Sequence, residues 1–241
     1  MARLRSIILL SAGLDSAVNL QRAHQETDLA LALTFDYGQL AAAREVAAAR
    51  AMCRRLRVRQ RVLRLPWLHR ISESALTRED NALPHPRRDE LDSKAAEESA
   101  RVVWVPNRNG VFVNIAAAFA EALDCDLIVT GFNAEEGATF PDNSPEYVRA
   151  ANRALGFSTM RRPRLISYTQ DLDKVAIVRL GREIGAPLNL IWSCYRGGEE
   201  HCWRCESCLR LKRALQSADS WKWFRRERAG QGALNVFAHR R

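Results

Sequence analysis

No apolar run in this 241-residue chain approaches the length of a bilayer-spanning helix. The N-terminus also lacks the layout of a secretory leader. Met1–Arg5 runs straight into a short strand-like stretch, without a long apolar core or a small-residue cleavage site. A cytoplasmic protein is therefore expected. Cysteine is sparse, six residues in all. Four of them crowd into Cys194–Cys208, while Cys53 and Cys125 stand alone in helix-like or strand-like surroundings. That distribution does not suit a disulfide framework, which spreads its cysteines through a smaller chain. Internal repeats are absent, and so are low-complexity segments beyond the alanine runs.

Hydrophobic residues make up 47% and charged residues 27%, the composition of an ordinary globular protein. The length suits one large α/β domain, or one domain with an appendage, and suffices for a sizeable core. The formal charge is +9, from 37 Lys and Arg against 28 Asp and Glu. Such an excess fits an anionic partner, nucleotide or nucleic acid. It also fits a solvated face, since Arg54, Arg55, Arg57, Arg59 and Arg61 are spread along one amphipathic stretch.

Strands and helices alternate through the first third. Ser6–Leu10, Leu29–Phe35 and Gln60–Leu65 read as strands, and Asp15–His24 and Leu40–Leu56 as helices. This alternation predicts a parallel twisted sheet with flanking helices, a Rossmann-like α/β fold. From Pro66 to Val105 the pattern fails, and a long, partly mobile insertion is expected, either a lid or a surface excursion. Regularity returns with a helix at Gly110–Leu123 and a strand at Asp126–Thr130 ending on Gly131. A loop over Asn133–Asn143 precedes a helix at Pro145–Leu155. A short strand at Leu165–Tyr168 and helices at Asp171–Ile184 and Glu206–Gln216 follow. The expected division is an α/β unit over 1–189 with the 66–105 insertion, a zinc-binding segment with its helix over 190–216, and a basic tail over 217–241. The tail carries Trp221, Trp223 and Phe224, which suit packing back or a partner.

Directly after the first strand stands Ser11-Ala12-Gly13-Leu14-Asp15-Ser16. Small residues permit a sharp turn with open backbone N–H groups. The helix that follows presents unpaired donors and a partial positive charge to an anion. Ser11 and Ser16 can add hydroxyl donors, whereas Asp15 beside phosphates calls for a bridging cation such as Mg²⁺. A strand–turn–helix with an ordinary cap has the same local appearance. The kinase-type loop is excluded, because no Gly-Lys-Ser/Thr follows. The motif resembles the Ser-Gly-Gly-X-Asp-Ser loop of the N-type ATP pyrophosphatases, or PP-loop enzymes, which implies ATP cleaved between its α- and β-phosphates. Ala12 stands where that pattern has glycine, so any need for positive φ would force the loop to adjust. At the end of the second strand, Phe35 and Tyr37 occupy the segment that lines the adenine pocket in the superfamily, although Phe35 reads equally well as core.

Cys194, Cys202, Cys205 and Cys208 follow the spacing C-x7-C-x2-C-x2-C. Thiolates so spaced converge on one tetrahedral metal, and a closed four-sulfur shell makes it structural. Zinc is expected, with an iron–sulfur cluster as the lesser alternative. His201 is expected outside the shell.

The wider pattern is more specific. Ser193-Cys194-Tyr195-Arg196-Gly197-Gly198, Cys202-Trp203-Arg204-Cys205-Glu206-Ser207-Cys208 and Arg210 resemble the C-terminal signature of the 7-cyano-7-deazaguanine synthase family. Val105-Pro106-Asn107-Arg108-Asn109 resembles its Val-Pro-X-Arg-Asn motif. Gly131–Ala134, Phe140-Pro141-Asp142 and Asp173-Lys174 fall in order where it has its substrate loop and lysine-bearing helix. The resemblance implies activation of 7-carboxy-7-deazaguanine by ATP, attack by ammonia, and dehydration of the amide to a nitrile by a second ATP. It further implies Mg²⁺, a structural Zn²⁺ and a homodimer. On that reading Leu10, Ser11, Ala12, Gly13, Leu14, Asp15, Ser16, Phe35, Tyr37 and Gly131 bind ATP. Asp15, Arg108 and Lys174 serve catalysis, the last two as cationic clamps, for which surface ion pairs are the plainer alternative. Asn133, Phe140, Asp142 and Asn143 are assigned to the substrate. Asp142 is the first choice for the guanine-like edge, with a simple turn role as the alternative.

Two departures stand out. Phe140-Pro141-Asp142-Asn143-Ser144 replaces the common Tyr-Pro-Asp-Cys-Arg, and Trp203 sits where glycine is frequent. The first leaves open another acceptor for the acyl group, a tRNA base or a protein amine. The second is expected to point outward from the zinc knuckle. A zinc-stabilised nucleic-acid-binding module without catalysis would account for the charge and the tail, but not for Ser11–Ser16.

Overall fold

Alternating burial sets the sheet. In β1 (Arg5–Leu9), Ile7 and Ile8 are both fully buried but belong to cores on opposite faces. The same two-sided burial recurs in β2 (Asp28–Asp36) and β4 (Leu127–Val129). Strands apolar on both faces require helices on both sides, as parallel sheets do. The computed structural model describes residues 3–87, 90–91 and 94–238, and the side chains of 94–97 and 230–238 lie outside that description. Its sheet has five strands in the order β3-β2-β1-β4-β5, with β3 at Gln60–Arg64 and β5 at Arg164–Ile166. All four neighbouring pairs are parallel.

Helices α1 (Leu14–Glu26) and α2 (Ala42–Leu56) supply residues to one core, together with α8 (Lys174–Glu183) and α9 (Glu206–Ser217). Helix α5 (Arg108–Ala122) supplies Val113, Ala116, Ala117 and Ala120 to the other. The chain grows outward from β1 to β3, then crosses back to β4 on β1's other side. Such a reversal opens a crevice at the carboxyl ends of β1 and β4, where α/β folds bind ligands.

Three expectations need correction. The 66–105 stretch is not patternless. Pro66 opens α3 (Pro66–Ile71), a position where proline suits a helix because its missing N–H was unpaired anyway. A second helix, α4, spans Lys94–Val102. Leu68, Ala75, Leu76, Leu83, Val103 and Val105 are buried in the α5-side core. The expected loop over Asn133–Asn143 contains α6 (Ala134–Thr139) and a short 3-10 turn at Pro141–Asn143. Asn133 caps α6 by accepting from the Glu136 amide, which offsets the poor helix-forming power of Gly137.

Trp203 does not point outward. Its ring packs against His201, Trp221 and Phe224 with centroids 4.9, 5.0 and 6.4 Å away. The tail packs back. After α7 (Pro145–Ser158), α8 and α9, helix α10 (Trp221–Ala238) buries Phe224 completely. The last part of the expected tail, residues 239–241, lies outside the described residues.

Candidate active site

A cavity of about 290 Å³ opens over the carboxyl ends of β1, β2 and β4. The phosphate-type loop forms one wall. Gly13 is the N-cap of α1 and no side chain caps that helix, so its first amides stay open to an anion. Ser16 Oγ lies 3.2 Å from Ser11 Oγ and donates to Gly13 O at 3.2 Å, gathering two hydroxyls beside those amides. Gly131 lets β4 end against this turn: a Cβ there would sit 2.8 Å from the Ser16 amide nitrogen.

Ala12 does adopt the left-handed conformation, at φ 65°. Its methyl is fully buried, and its carbonyl accepts from Trp192 N–H at 2.9 Å. A Cβ makes that conformation costly, by about 1–2 kcal/mol. The surrounding contacts hold it.

Next to the loop stands a charge triad. Lys174 Nζ donates to Asp15 Oδ2 at 3.0 Å and to Glu136 Oε1 at 2.7 Å. Asp173 caps α8, fixing the helix start that carries Lys174. Burial pushes the Asp15 carboxyl up to about 6 despite the lysine. Burial alone would lower Lys174, but Asp15 and Glu136 outweigh it and raise its pKa. Glu136 moves the other way: Lys174 and the Asn133 bond overcome burial and hold it below the usual carboxylate range. Asp15 Oδ1 is buried without a hydrogen-bond partner among the described residues. A carboxylate oxygen left unpaired beside an anion-ready helix end fits a divalent cation shared with phosphate.

The far wall is aromatic and basic. Phe35 stacks on Phe112 with centroids 4.0 Å apart, and Arg108 Nη1 donates to Tyr37 Oη at 3.2 Å. Gln39 braces this corner. Its Oε1 accepts from Tyr37 N, and its Nε2 donates to Phe35 O and to Glu45 Oε2. Burial raises Glu45 to about 6 against that bond. Asp142 lines the cavity near Arg108, accepts from Asn143 Nδ2 at 3.2 Å, and is raised by burial.

Beyond the cavity, the four cysteine sulfurs lie within 4.8 Å of one another. A tetrahedron with metal–sulfur bonds of about 2.3 Å has sulfurs about 3.8 Å apart, and Cys202 and Cys208 are 4.0 Å apart. Backbone amides of Arg196 and Cys202 donate to Cys194 Sγ, and those of Arg204 and Cys205 to Cys202 Sγ. Donors aimed at sulfur stabilise thiolates, the form that ligates metal. The cluster is a metal-binding site by its chemistry. His201 stays outside it, accepting Ser193 N–H on Nε2 at 3.1 Å.

A family model described as queuosine biosynthesis protein QueC matches residues 5–219. The chain belongs to the QueC family. A 7-cyano-7-deazaguanine synthase of Pelotomaculum thermopropionicum is 57% identical over 216 residues, 89% of this chain and 98% of that protein. One from Desulforudis audaxviator is 54% identical over 216 residues, with the same shares covered. A relative of the same name from Methanosarcina mazei is 42% identical over 218 residues, 89% of this chain and 94% of that protein. The QueC match thus spans the sheet, the cavity and the cysteine cluster, and ends before α10.

Within this QueC-family fold, the cavity gathers Leu10, Ser11, Gly13, Leu14, Asp15, Ser16, Phe35, Tyr37, Arg108, Gly131, Phe140, Asp142, Asn143 and Lys174. Ala12 turns its methyl into the core instead. Asn133 is fully buried as the α6 cap and does not line the cavity, and its Nδ2 has no partner among the described residues. Sequence reasoning missed Gln39, Glu45, Phe112, Glu136 and Trp192, all in the cavity wall. Only Glu136 carried a local signal, the Asn-x-x-Glu spacing of a capped helix start.

Proposed function

We propose that the chain converts 7-carboxy-7-deazaguanine and ammonia to 7-cyano-7-deazaguanine at the expense of ATP. The observation that carries this reading is the uncapped start of α1 facing the Lys174–Asp15–Glu136 triad in one cavity with Arg108. Membership of a family whose relatives bear this synthase name over nearly their whole length supports the substrate.

The chemistry needs no protein nucleophile. A carboxylate oxygen of the substrate attacks the α-phosphorus and pyrophosphate leaves. Ammonia then attacks the acyl carbon, expels AMP and loses a proton, giving the amide. The amide oxygen attacks the α-phosphorus of a second ATP, expelling pyrophosphate as one N–H proton is lost, and departure of AMP with the remaining N–H proton leaves the nitrile. The first amides of α1, with Ser11 and Ser16, hold the pyrophosphate portion. Lys174 offsets the charge that develops there, and Arg108 holds the substrate carboxylate. Their effect is positioning and electrostatic stabilisation in a preformed site. Phe35, Tyr37, Gly131 and the loop flanks Leu10, Ala12 and Leu14 shape the nucleotide pocket. Phe140, Asn143 and Asp142 face the deazaguanine. A carboxylate such as Asp142 can accept from a ring N–H and an exocyclic amine together. Asn133 supports this wall as the cap of α6. Mg²⁺ held by Asp15 would neutralise phosphate charge. Zn²⁺ in the four-cysteine shell would be structural.

We take residues 1–189 as the catalytic α/β unit with its 66–105 insertion, 190–216 as the zinc-bearing segment and 217–241 as a tail. We also take the enzyme to be a cytoplasmic homodimer acting on small molecules. No helix among the described residues is long and apolar enough to cross a membrane. Thiolation-type chemistry on a tRNA base finds no support. Cys53 and Cys125 are both buried, with Cys53 pushed up to about 11.

Incubation with ATP, Mg²⁺, ammonium and 7-carboxy-7-deazaguanine, followed by mass spectrometry, tests the proposal. The nitrile is expected, with AMP and pyrophosphate formed only when the acid is present. An adduct with a larger amine, or no AMP release, would refute it.

A further inference from the structure

The QueC match ends at residue 219, whereas this chain continues into α10, Trp221–Ala238. That helix is seated firmly. Phe224 is fully buried in the core on the α1 side, and the Arg182 guanidinium lies 3.8 Å over the Trp223 ring. One of its side chains reaches further. Arg228 Nη1 donates to Ile191 O at 2.7 Å, and its guanidinium lies 5.7 Å from the Trp192 ring centre. The next peptide N–H along, that of Trp192, donates to Ala12 O at 2.9 Å. Ala12 is the residue of the phosphate-type loop held at φ 65°. Glycine takes that conformation freely, and alanine does not.

We propose that Arg228, presented by α10, is a positioning residue for the phosphate loop, acting through the Ile191–Trp192 backbone to hold Ala12 in its left-handed conformation. The geometry is a short relay. The guanidinium fixes the Ile191 carbonyl, which fixes the plane of the peptide it shares with Trp192. The N–H of that same peptide points at Ala12 O, and the following two residues, Gly13 and Leu14, begin α1. Trp192 itself is 6% exposed and lines the cavity, with its Nε1 donating to Cys194 O at 2.9 Å. The peptide is thereby held between the helix, the cysteine cluster and the loop. Trp203, also left-handed at φ 55°, packs on Trp221 and Phe224, so the same helix braces a second residue in the conformation that favours glycine.

The proposal rests on the ATP-binding reading of the loop for its consequence, but not for the relay itself. The full-length chain and its Arg228→Ala, Arg228→Lys, Ala12→Gly and Ala12→Gly/Arg228→Ala forms separate the two. Hydrogen exchange over residues 188–193, read without nucleotide, should speed up in Arg228→Ala and stay near wild type in Arg228→Lys, which keeps a donor. ATP titration in Mg²⁺ should show Arg228→Ala binding about tenfold to a hundredfold more weakly, the scale of a misplaced binding group. KM for ATP should rise more than kcat falls. In the Ala12→Gly background most of that loss should vanish, because glycine holds the turn unaided. Equal losses with and without the Ala12→Gly change, or unchanged exchange in Arg228→Ala, would overturn the proposal. A general loosening of the fold would speed exchange throughout the sheet and would leave the glycine background unrescued, so it also counts against. A wild-type chain that binds no ATP would strike the proposed function alone, since the exchange measurement still decides the relay.

Discussion

Replacing Gly131 by alanine should disable the nucleotide site without touching any charged group. An added Cβ would lie 2.8 Å from the Ser16 amide nitrogen and 3.1 Å from the Asp15 carbonyl carbon. Both obstacles are backbone, so no side chain can swing aside. Comfortable contact is about 3.5 Å, and the first turn of α1 must therefore retreat by several tenths of an ångström. Two measurable effects follow. Overpacking of this kind costs about 1–3 kcal/mol, and each kcal/mol lowers the unfolding temperature of a chain this size by about 2–4 °C. The shift also moves the amides that face the phosphates, and misplacement on that scale weakens a positioned interaction by about tenfold or more. Calorimetric titration of ATP with Mg²⁺, alongside thermal unfolding, reads both. Melting lowered with wild-type ATP affinity would refute the placement of phosphate at the α1 turn, because the methyl cannot be accommodated without moving it.

Lys174→Met leaves the largely buried Asp15 without its cation and facing Glu136, whose side chain is 37% exposed; the expected loss is about 3 kcal/mol of stability, read by denaturant unfolding, with turnover largely abolished. The destabilisation should ease as pH falls toward about 6, the wild-type value, because without Lys174 the Asp15 carboxyl takes its proton at a higher pH than it does in the wild type. Glu45→Gln tests a second raised carboxylate. Its folded pKa of about 6 stands above the ordinary 4.5, so its contribution to stability is fully present below 4.5 and is lost as pH rises through about 6. The glutamine form should gain on wild type across that window and end about 2 kcal/mol ahead at neutral pH; a flat difference would show that Glu45 does not titrate there. Cys205→Ser should release the bound metal, measured by elemental analysis, and cost more than about 4 kcal/mol, as loss of a structural metal does; full metal content in that variant would exclude Cys205 as a ligand.

The parallel sheet, the phosphate-type loop after β1 and the four-cysteine spacing were legible in the sequence because each is a local pattern. Alternating burial, a turn of small residues before a helix and closely spaced thiols all act within a few residues of one another. Stretches that defied a simple period were read less well. Pro66 and Asn133 begin short helices that pack into the core or cap themselves, and neither is long enough to repeat an apolar face. The tail's aromatics allowed two fates, and burial of Phe224 decided between them.

The residue types and their order thus determined the fold class, the phosphate-type turn and the clustering of the four cysteines. Tertiary structure alone decided that Lys174 meets Asp15 across 159 positions, that Glu45 and Gln39 buttress Tyr37, and that Trp192 grips Ala12. Contacts between residues far apart in the chain leave no mark on local spacing. Their charges and strains balance only once the chain has closed on itself.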